Sequence, residues 1–225
     1  MLLRLLQLTD SSFPTGGYSF SHGLEGLHAM GLVASEGDVR AFALAHIAET
    51  LAQQDLPVVC LAHGHADGQE LAALVELDHL LAALKPVPAF RTASTRIGRR
   101  TLESGLPLYG SPFAGQYLHA VREGRTPGSH AIAFAVVTHA AGIAAPDAVA
   151  AFGAAALNSY VAAAVRLGII GQGAAQRIIA NLEPDLRAAL AEAPTIGPHD
   201  LGGYTPLLDI AGMRQPALAA RMFAS

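Results

Sequence analysis

Residues 148–170, AVAAFGAAALNSYVAAAVRLGII, form an apolar stretch that is long enough to cross a bilayer. Alanine is the commonest residue of the stretch, which contains Asn158, Ser159 and Arg166 and has no flanking basic cluster to set an orientation in a membrane. A helix that is apolar on most of its sides is also expected at the centre of a helical bundle. We therefore expect a buried central helix and no membrane association, and a helical membrane protein remains an alternative.

The signals along the rest of the chain are those of helices. Ser35 and Asp38 have the spacing of a capping box, and leucines recur at intervals of three and four over residues 71–84. Gly105 is expected to end an arginine-rich helix, and Pro184 to interrupt a later one. No strand-like alternation persists, and alanine and leucine, which favour helices, supply most of the apolar content. We predict an all-α, single-domain helical bundle of roughly ten helices with few or no strands.

The C-terminal end changes character. PTIGPHDLGGYTP, residues 194–206, is predicted to be a loop, followed by a short helix that carries Leu218, Met222 and Phe223. A lone terminal helix could not bury this small apolar face well. We therefore expect the N-terminal arm and a C-terminal tail at about residues 194–225 to depend on a partner for their order.

The composition is that of a globular chain without a basic field. Hydrophobic residues make up 52% and charged residues 14%, which excludes disorder, and the net charge of −4 gives nucleic acid no attraction. The single cysteine, Cys60, suits a reducing compartment, and the N-terminus lacks a signal-peptide pattern, so we expect a cytoplasmic protein. Without a linker-like stretch, residues 1–225 are predicted to form one domain. A chain with a mean hydropathy of +0.36 is expected to cover a self-complementary patch by forming a homodimer.

The segment FPTGGYSFSHGLEG, residues 13–26, concentrates glycines, aromatics and polar side chains. Residues 17–21 approach the Gly-x-Ser-x-Gly nucleophile elbow, but the last position is serine and no strand precedes it. A phosphate cradle is excluded because no Gly-Lys-Ser/Thr follows Gly16-Gly17. A backbone turn followed by a helix start is favoured, and a small hydrolase that uses Ser19 remains the alternative.

Neither a metal motif nor a dinucleotide motif is complete. Of ten histidines only His63 and His65 are close in sequence, and on a helix they face different directions. Clustering of distant histidines in space stays open. GQGAAQ, residues 171–176, ends in glutamine where a dinucleotide fingerprint has glycine or alanine. We interpret Gly171 and Gly173 as a tight joint that lets two helix backbones approach.

Arg96, Arg99 and Arg100 share one helical face because they fall at positions i, i+3 and i+4. One interpretation is a solvated face on which Glu103 pairs with Arg99 or Arg100. The other is an anchor for a carboxylate-rich or phosphate-bearing partner, since guanidinium groups bind both through paired hydrogen bonds. The sequence favours neither.

Three separated stretches, which run in order from end to end, carry a resemblance to a known family. LLQLTDSSFPTGGYSFSHGLE, residues 5–25, has a leucine-rich start, a Pro-x-Gly-Gly turn and a Gly-Leu-Glu. YVAAAVRLGIIGQGAAQRII, residues 160–179, has Ala-Ala-x-Arg-Leu and Gly-Gln-x-x-x-Gln elements, and RMFAS at 221–225 is close to an Arg-Leu-Phe-x-Ser ending. TRIGRR at 95–100 fits a Gly-Arg-Arg-type element. By these motifs the chain resembles the UreF family of urease accessory proteins.

One stretch departs from the family pattern. The family commonly shows Met-x-His-Glu before its C-terminal end, where this chain has Met213-Arg214-Gln215-Pro216. Gln215 and Pro216 replace the ionisable pair, so the resemblance carries no proton or metal role to these two positions.

The resemblance implies a non-enzymatic scaffold. Proteins of the UreF family are all-α dimers that join UreD (also called UreH) and the GTPase UreG, in a complex that delivers nickel into apo-urease, whose lysine is also carbamylated. The resemblance implies coupling between the nucleotide state of UreG and metal transfer. It implies no tightly bound cofactor and no metal site in this chain, because nickel and GTP are handled by the partner complex.

Under this hypothesis residues 13–26 form a turn that presents side chains to a partner or to a second copy. Aromatic side chains supply rigid contact area, Glu25 pairs with a basic patch, and UreD is expected to dock at the C-terminal end. The predicted partner-binding residues are Tyr18, Ser19, Ser21, Glu25, Arg96, Arg99, Arg100, Arg214, Leu218, Arg221, Met222 and Phe223. The predicted structural turn residues are Pro14, Gly16, Gly17, Gly171 and Gly173.

Overall fold

The structure, a computed structural model, describes residues 1–17, 20–214 and 222–223. Eleven α-helices, one π-helical segment and a short 3₁₀ turn make up most of these described residues, and no strand occurs among them, so the all-α prediction is confirmed. The helices are α1 (Leu2–Thr9), α2 (Leu24–Ala29), α3 (Glu36–Ala45), α4 (Leu56–Asp67), α5 (Leu71–Leu84), α6 (Pro88–Tyr109), α7 (Pro112–Arg122), α8 (His130–Ala140), α9 (Ala145–Arg166), α10 (Gln172–Glu192) and α11 (Pro206–Arg214). The π-helical segment (His46–Asp55) joins α3 to α4, and the 3₁₀ turn (Ala193–Thr195) follows α10.

The centre of the bundle is α8, which is covered by α4, α6 and α9. Its residues from Ala131 to Thr138 are all buried, as expected for a helix that is apolar on every side. The apolar stretch found in the sequence forms α9, which also packs on α10. By length and composition α9 could cross a membrane, but half of its most apolar window is buried inside the protein. The stretch is therefore used as a core helix.

Small residues let α6 approach its neighbours closely. A Cβ on Gly98 would lie 2.8 Å from the Ser129 carbonyl carbon, and one on Gly105 would lie 2.5 Å from a methyl group of Val137. The prediction that Gly105 ends the helix is wrong, because α6 continues to Tyr109. Gly105 instead provides the space in which α8 packs.

The prediction that Pro184 interrupts its helix is also wrong, since α10 runs through it from Gln172 to Glu192. Proline removes one backbone donor and would leave the carbonyl four residues earlier without its partner. Pro184 and Ala180 are both exposed, so water can satisfy that carbonyl. The helix continues because its buried side is unaffected.

Helices α3 and α4 are joined without a break by the π-helical segment. The predicted capping box begins α3: the Ser35 hydroxyl accepts the Asp38 N–H at 3.2 Å, and the Asp38 carboxylate accepts the Ser35 N–H at 2.9 Å. π-Helical turns are rare and are often found at functional sites. Here the segment begins with the buried His46, and near its end the Gln53 carbonyl accepts the Gly202 N–H at 3.1 Å.

Candidate partner-binding site

The turn at residues 13–17 depends on one glycine conformation. The Phe13 N–H donates to the Asp10 carbonyl at 3.0 Å, which closes the preceding bend. Gly16 has a φ of +74°, in the left-handed region that glycine adopts without strain. A Cβ at Gly16 would also collide with the guanidinium group of Arg100. Glycine is therefore favoured here by the left-handed turn, whereas the exposed end of the Arg100 side chain could move aside for a Cβ.

The two other predicted turn residues in this segment have different surroundings. Pro14 is exposed and lines a surface groove of about 540 Å³ together with Leu6 of α1 and Leu108 of α6. A Cβ on Gly17 would meet nothing closer than 3.5 Å. The space at Gly17 therefore does not demand glycine.

Ser21 and Glu25 are buried, with 0% and 6% of their surfaces exposed. The expectation that the turn presents these two side chains at the surface is therefore corrected: α2 packs on α9 and α11, and this packing encloses them. Tyr18 and Ser19 lie outside the described residues. A partner role for these four positions stays a prediction.

The Glu25 carboxylate receives the chain's own C-terminal tail. Its two oxygens accept the backbone N–H groups of Met222, at 2.5 Å, and Phe223, at 3.4 Å. The Phe223 ring lies under the guanidinium group of Arg166, whose Cζ is 4.4 Å from the ring centroid. Sequence reasoning placed Phe223 on an unburied helix face, whereas the structure places it in a bend and leaves only 4% of it exposed.

Helix α11 (Pro206–Arg214) precedes the short C-terminal helix predicted to carry Leu218, Met222 and Phe223, most of which lies outside the described residues. The outward side of α11 carries Leu207, Ile210 and Met213 at intervals of three, and each is about half exposed. Arg214, a predicted partner-binding residue, is exposed at the end of this helix. Sequence reasoning missed this apolar stripe because it treated about residues 194–225 as one partner-dependent tail and considered only Leu218, Met222 and Phe223 as its apolar face. Leu218 and Arg221 lie outside the described residues.

Behind the turn, histidines from distant segments meet around Tyr160. His46 stacks on the Tyr160 ring at 4.4 Å between centroids, and His22 meets the same ring edge-on at 4.8 Å. His22 adopts a left-handed backbone with φ of +55°, and its Nε2 lies 3.1 Å from the Ser159 hydroxyl. The His46 Nε2 lies 3.1 Å from the His22 carbonyl, while its Nδ1 is buried without a partner in the described part of the chain.

Burial keeps these imidazoles neutral. It lowers the pKa of His22 to about 3 and that of His46 to about 4, because a charged ring would lose its hydration. The ring of His130, the first residue of α8, lies 5.1 Å from the Phe152 ring between centroids, and burial lowers its pKa to about 4 in the same way. Local spacing gave no signal for this cluster, since its members are far apart in the sequence. Among the residues that the structure describes, no group of three or more His, Cys, Asp or Glu side chains is placed to hold a metal ion.

The arginine face of α6 is exposed and lies beside the turn. Arg99 pairs with Glu103 at 3.0 Å, so the predicted pairing of Glu103 is confirmed for Arg99. Within the described ranges Arg96 and Arg100 form no ion pair. Because Arg100 lies against Gly16, the arginine face and the 13–17 turn form one continuous surface.

Gly171 and Gly173 do not provide a close helix–helix approach, so that interpretation is wrong. A Cβ on Gly171 would meet nothing within 4 Å, and one on Gly173 would meet only the Arg177 side chain at 3.8 Å. Gly171 is instead the extended residue that precedes α10. The positive φ needed to leave α9 is supplied by Gly168.

Comparison with known proteins covers almost the whole chain. The UreF family model matches residues 33–183. "Urease accessory protein UreF" of Arthrobacter sp. (strain FB24) is 36% identical over 224 residues, which cover 99% of this chain and 96% of the relative. The protein of the same name from Bacillus sp. (strain TB-90) is 33% identical, covering 100% and 99%, and that of Trichodesmium erythraeum (strain IMS101) is 31% identical, covering 99% and 96%. The chain belongs to the UreF family of urease accessory proteins.

Proposed function

We propose that this protein is a non-enzymatic, cytoplasmic scaffold of urease maturation. In this proposal it joins UreD (UreH) and the GTPase UreG while nickel is delivered to apo-urease, and it couples the GTP state of UreG to that delivery. The observation that carries the proposal is family membership over nearly the full length of relatives named urease accessory proteins. Nickel and GTP are handled by the partner complex.

The outward stripe of α11 supports UreD docking at the C-terminal end. Leu207, Ile210 and Met213 lie on one exposed side of a helix whose other side packs on α2 and α6. Tyr204, just before this helix, is also exposed. Exposed apolar side chains grouped in this way are typical of protein-binding surfaces.

A second apolar surface, on α1, supports a homodimer. Met1, Leu2, Leu3 and Leu6 are exposed, and the exposed Leu108 of α6 lines the same groove as Leu6. Two-fold pairing is the commonest way to cover a patch of this kind. The arginine face offers Arg96 and Arg100 as anchors for carboxylates of a partner.

Light-scattering chromatography of the chain alone and with UreD and UreG tests the proposal. We expect a dimer of about twice the chain mass, which shifts into a larger assembly that contains UreG. Ile210→Asp should abolish the shift with UreD by placing a charge in the docking surface, whereas Leu32→Asp, at an exposed leucine elsewhere, should leave it unchanged. A monomer that binds neither UreD nor UreG would overturn the scaffold role.

A further inference from the structure

A surface groove of about 650 Å³ lies where the ends of three helices meet, and we call it the α4–α9–α10 groove. Its lining includes Cys60 and Leu61 of α4, Val149 of α9, Leu190 of α10, and Ile196. The lining residues that the structure describes belong to these three helices and to the segment after α10. The groove is therefore separate from the arginine face and from the apolar surfaces of α1 and α11.

The walls of the groove are mostly apolar. Leu61, Leu190 and Ile196 are half-buried: each packs against the main core and keeps part of its surface exposed. Burial raises the pKa of the Cys60 thiol, so this side chain is neutral as well. Specific binding pockets typically measure about 300–1,000 Å³ and are lined mainly by apolar side chains. The groove has the size and the lining of such a pocket.

The surface around the groove is acidic. The three segments that supply its lining are residues 56–70, 143–150 and 188–200, and none of them contains a lysine or an arginine, although the chain has 14 such residues. The same segments carry five carboxylates, all on exposed residues: Asp67, Glu70, Asp147, Glu192 and Asp200. The groove therefore lies in a region of negative potential, which attracts basic groups.

The helix ends add to this negative potential. The last turn of α4 contributes Gly64 and His65 to the lining, and the last turn of α10 contributes Ala191. A helix carries a partial negative charge at its C-terminal end. Helix α9 contributes its first turn, where the partial positive charge is offset by Asp147 in the same turn. Backbone and side chains thus favour the same sign of charge in whatever binds here.

The charge argues against a second copy of this chain as the occupant. Two-fold pairing through the groove would bring the same acidic surface of both copies together, because such an interface uses one patch twice. Like charges placed opposite each other disfavour association. The occupant is therefore a different protein, with basic groups around its apolar side chains.

We propose that the α4–α9–α10 groove binds a segment of another protein in which apolar side chains are flanked by lysine or arginine. The apolar side chains fill the groove, and the basic side chains pair with the carboxylates at its rim. Buried anchors of this kind supply most of the affinity, whereas the rim charges act mainly on the association rate and on selectivity. The proposal goes beyond the scaffold role, since it assigns a surface that the proposed UreD and homodimer contacts do not use.

Cys60 provides a direct measurement of occupancy. It is the single cysteine of the chain, so the rate of thiol modification of the full-length protein reports on the groove alone. The probe is an amphipathic peptide of leucine and lysine, about four helical turns long. At about ten times its Kd this peptide should slow the modification about tenfold. A matched peptide with glutamate at every lysine position should leave the rate unchanged.

Two variants test where the lysine peptide binds. Ala191→Trp fills the groove from an exposed lining position and should weaken binding at least about tenfold. Ala188→Trp, at an exposed position of α10 outside the lining, is the matched control and should bind as the wild type does. The double variant Asp147→Asn/Glu192→Gln changes no core side chain and should reduce the salt dependence of binding. Fluorescence anisotropy of the labelled peptide measures all three, and circular dichroism checks their folding.

Unfolding by the peptide would speed the modification of Cys60, so protection cannot arise from it. Absence of protection by the lysine peptide, or equal protection by the glutamate peptide, would overturn the proposal. Unchanged affinity in a folded Ala191→Trp protein, or unchanged salt dependence in the double variant, would also overturn it. If the small apolar dye 1-anilinonaphthalene-8-sulfonate protects Cys60 and the lysine peptide does not, the groove is a small-molecule pocket and the assignment to a protein segment is wrong.

Discussion

At the scale of single residues, Asp78 is a buried carboxylate on which several hydrogen-bond donors converge. Its carboxylate is fully buried and accepts four hydrogen bonds, from the Tyr117 hydroxyl at 2.8 Å, the Thr126 hydroxyl at 2.7 Å, and the N–H groups of Gly128 at 2.7 Å and Ser129 at 3.0 Å. Burial and the neighbouring Asp78 raise the pKa of the Tyr117 phenol well above its usual value, so it stays a donor. The loop that leads into α8 is therefore fixed by one side chain.

Asp78→Asn is expected to destabilise the protein by about 3 kcal/mol, because the amide nitrogen would face donors that need an acceptor. Tyr117→Phe removes only one of the four donors and should cost about 1 kcal/mol. Urea unfolding followed by circular dichroism measures both. A loss no larger for Asp78→Asn than for Tyr117→Phe would contradict the assigned role.

At the scale of helices, the close approach of α6 to the loop before α8 sets a requirement for glycine. Gly98→Ala would place a Cβ against the backbone of Gly128 and Ser129, which cannot move as a side chain end can. We expect a loss of more than about 2 kcal/mol, as for overpacking in a core. Gly115→Ala, inside α7 with nothing within 4 Å of the added Cβ, should stabilise by about 0.5–1 kcal/mol through helix propensity.

Thermal unfolding of the two alanine variants gives shifts of opposite sign if the packing is as described. A lower melting temperature for Gly115→Ala, or an unchanged one for Gly98→Ala, would contradict it.

The presence of most helices was predictable from the sequence, whereas the effect of a glycine or proline inside a helix was not. Ser35 and its Asp38 partner marked a true beginning, because a cap depends on residues within one turn. Gly105 and Pro184 were misassigned as breaks, because whether a helix can contain such a residue depends on its surroundings. Gly105 lies against Val137, and Pro184 lies on the exposed side of its helix. The π-helical segment at His46–Asp55 has no local spacing signal.

At the scale of the whole molecule, the neutral histidines make stability depend on pH. Their pKa values lie below the unfolded value of about 6.5, so the unfolded chain takes up protons first as the pH falls. The free energy of unfolding is therefore highest above about pH 6.5, and it falls progressively as the pH is lowered towards 4. His22 and His130 keep some exposed surface, so water lessens their share, and His46 is buried.

The titration of His46 should lower the free energy of unfolding by about 2 kcal/mol between pH 6.5 and pH 5, since one pKa unit corresponds to about 1.4 kcal/mol. His46→Phe keeps the stacking on Tyr160 and removes the titrating group, so its unfolding free energy should fall less steeply with pH. The exposed His199→Phe serves as the control and should keep the wild-type slope. Parallel slopes in all three proteins, measured by urea unfolding at several pH values, would contradict a neutral buried His46.

The candidate site was predictable only where its parts are neighbours in sequence. The Gly16 turn and the arginine face were found from local spacing. The histidine cluster, the burial of Glu25 and its contact with Met222 were not, because they depend on how α2, α9 and the tail come together in space. Such contacts have no signature in a single sequence.

Because Met222 and Glu25 belong to the same chain, their hydrogen bond is intramolecular and its occupancy does not change with protein concentration. A separate molecule that competes for the Glu25 carboxylate therefore has to overcome this advantage of proximity.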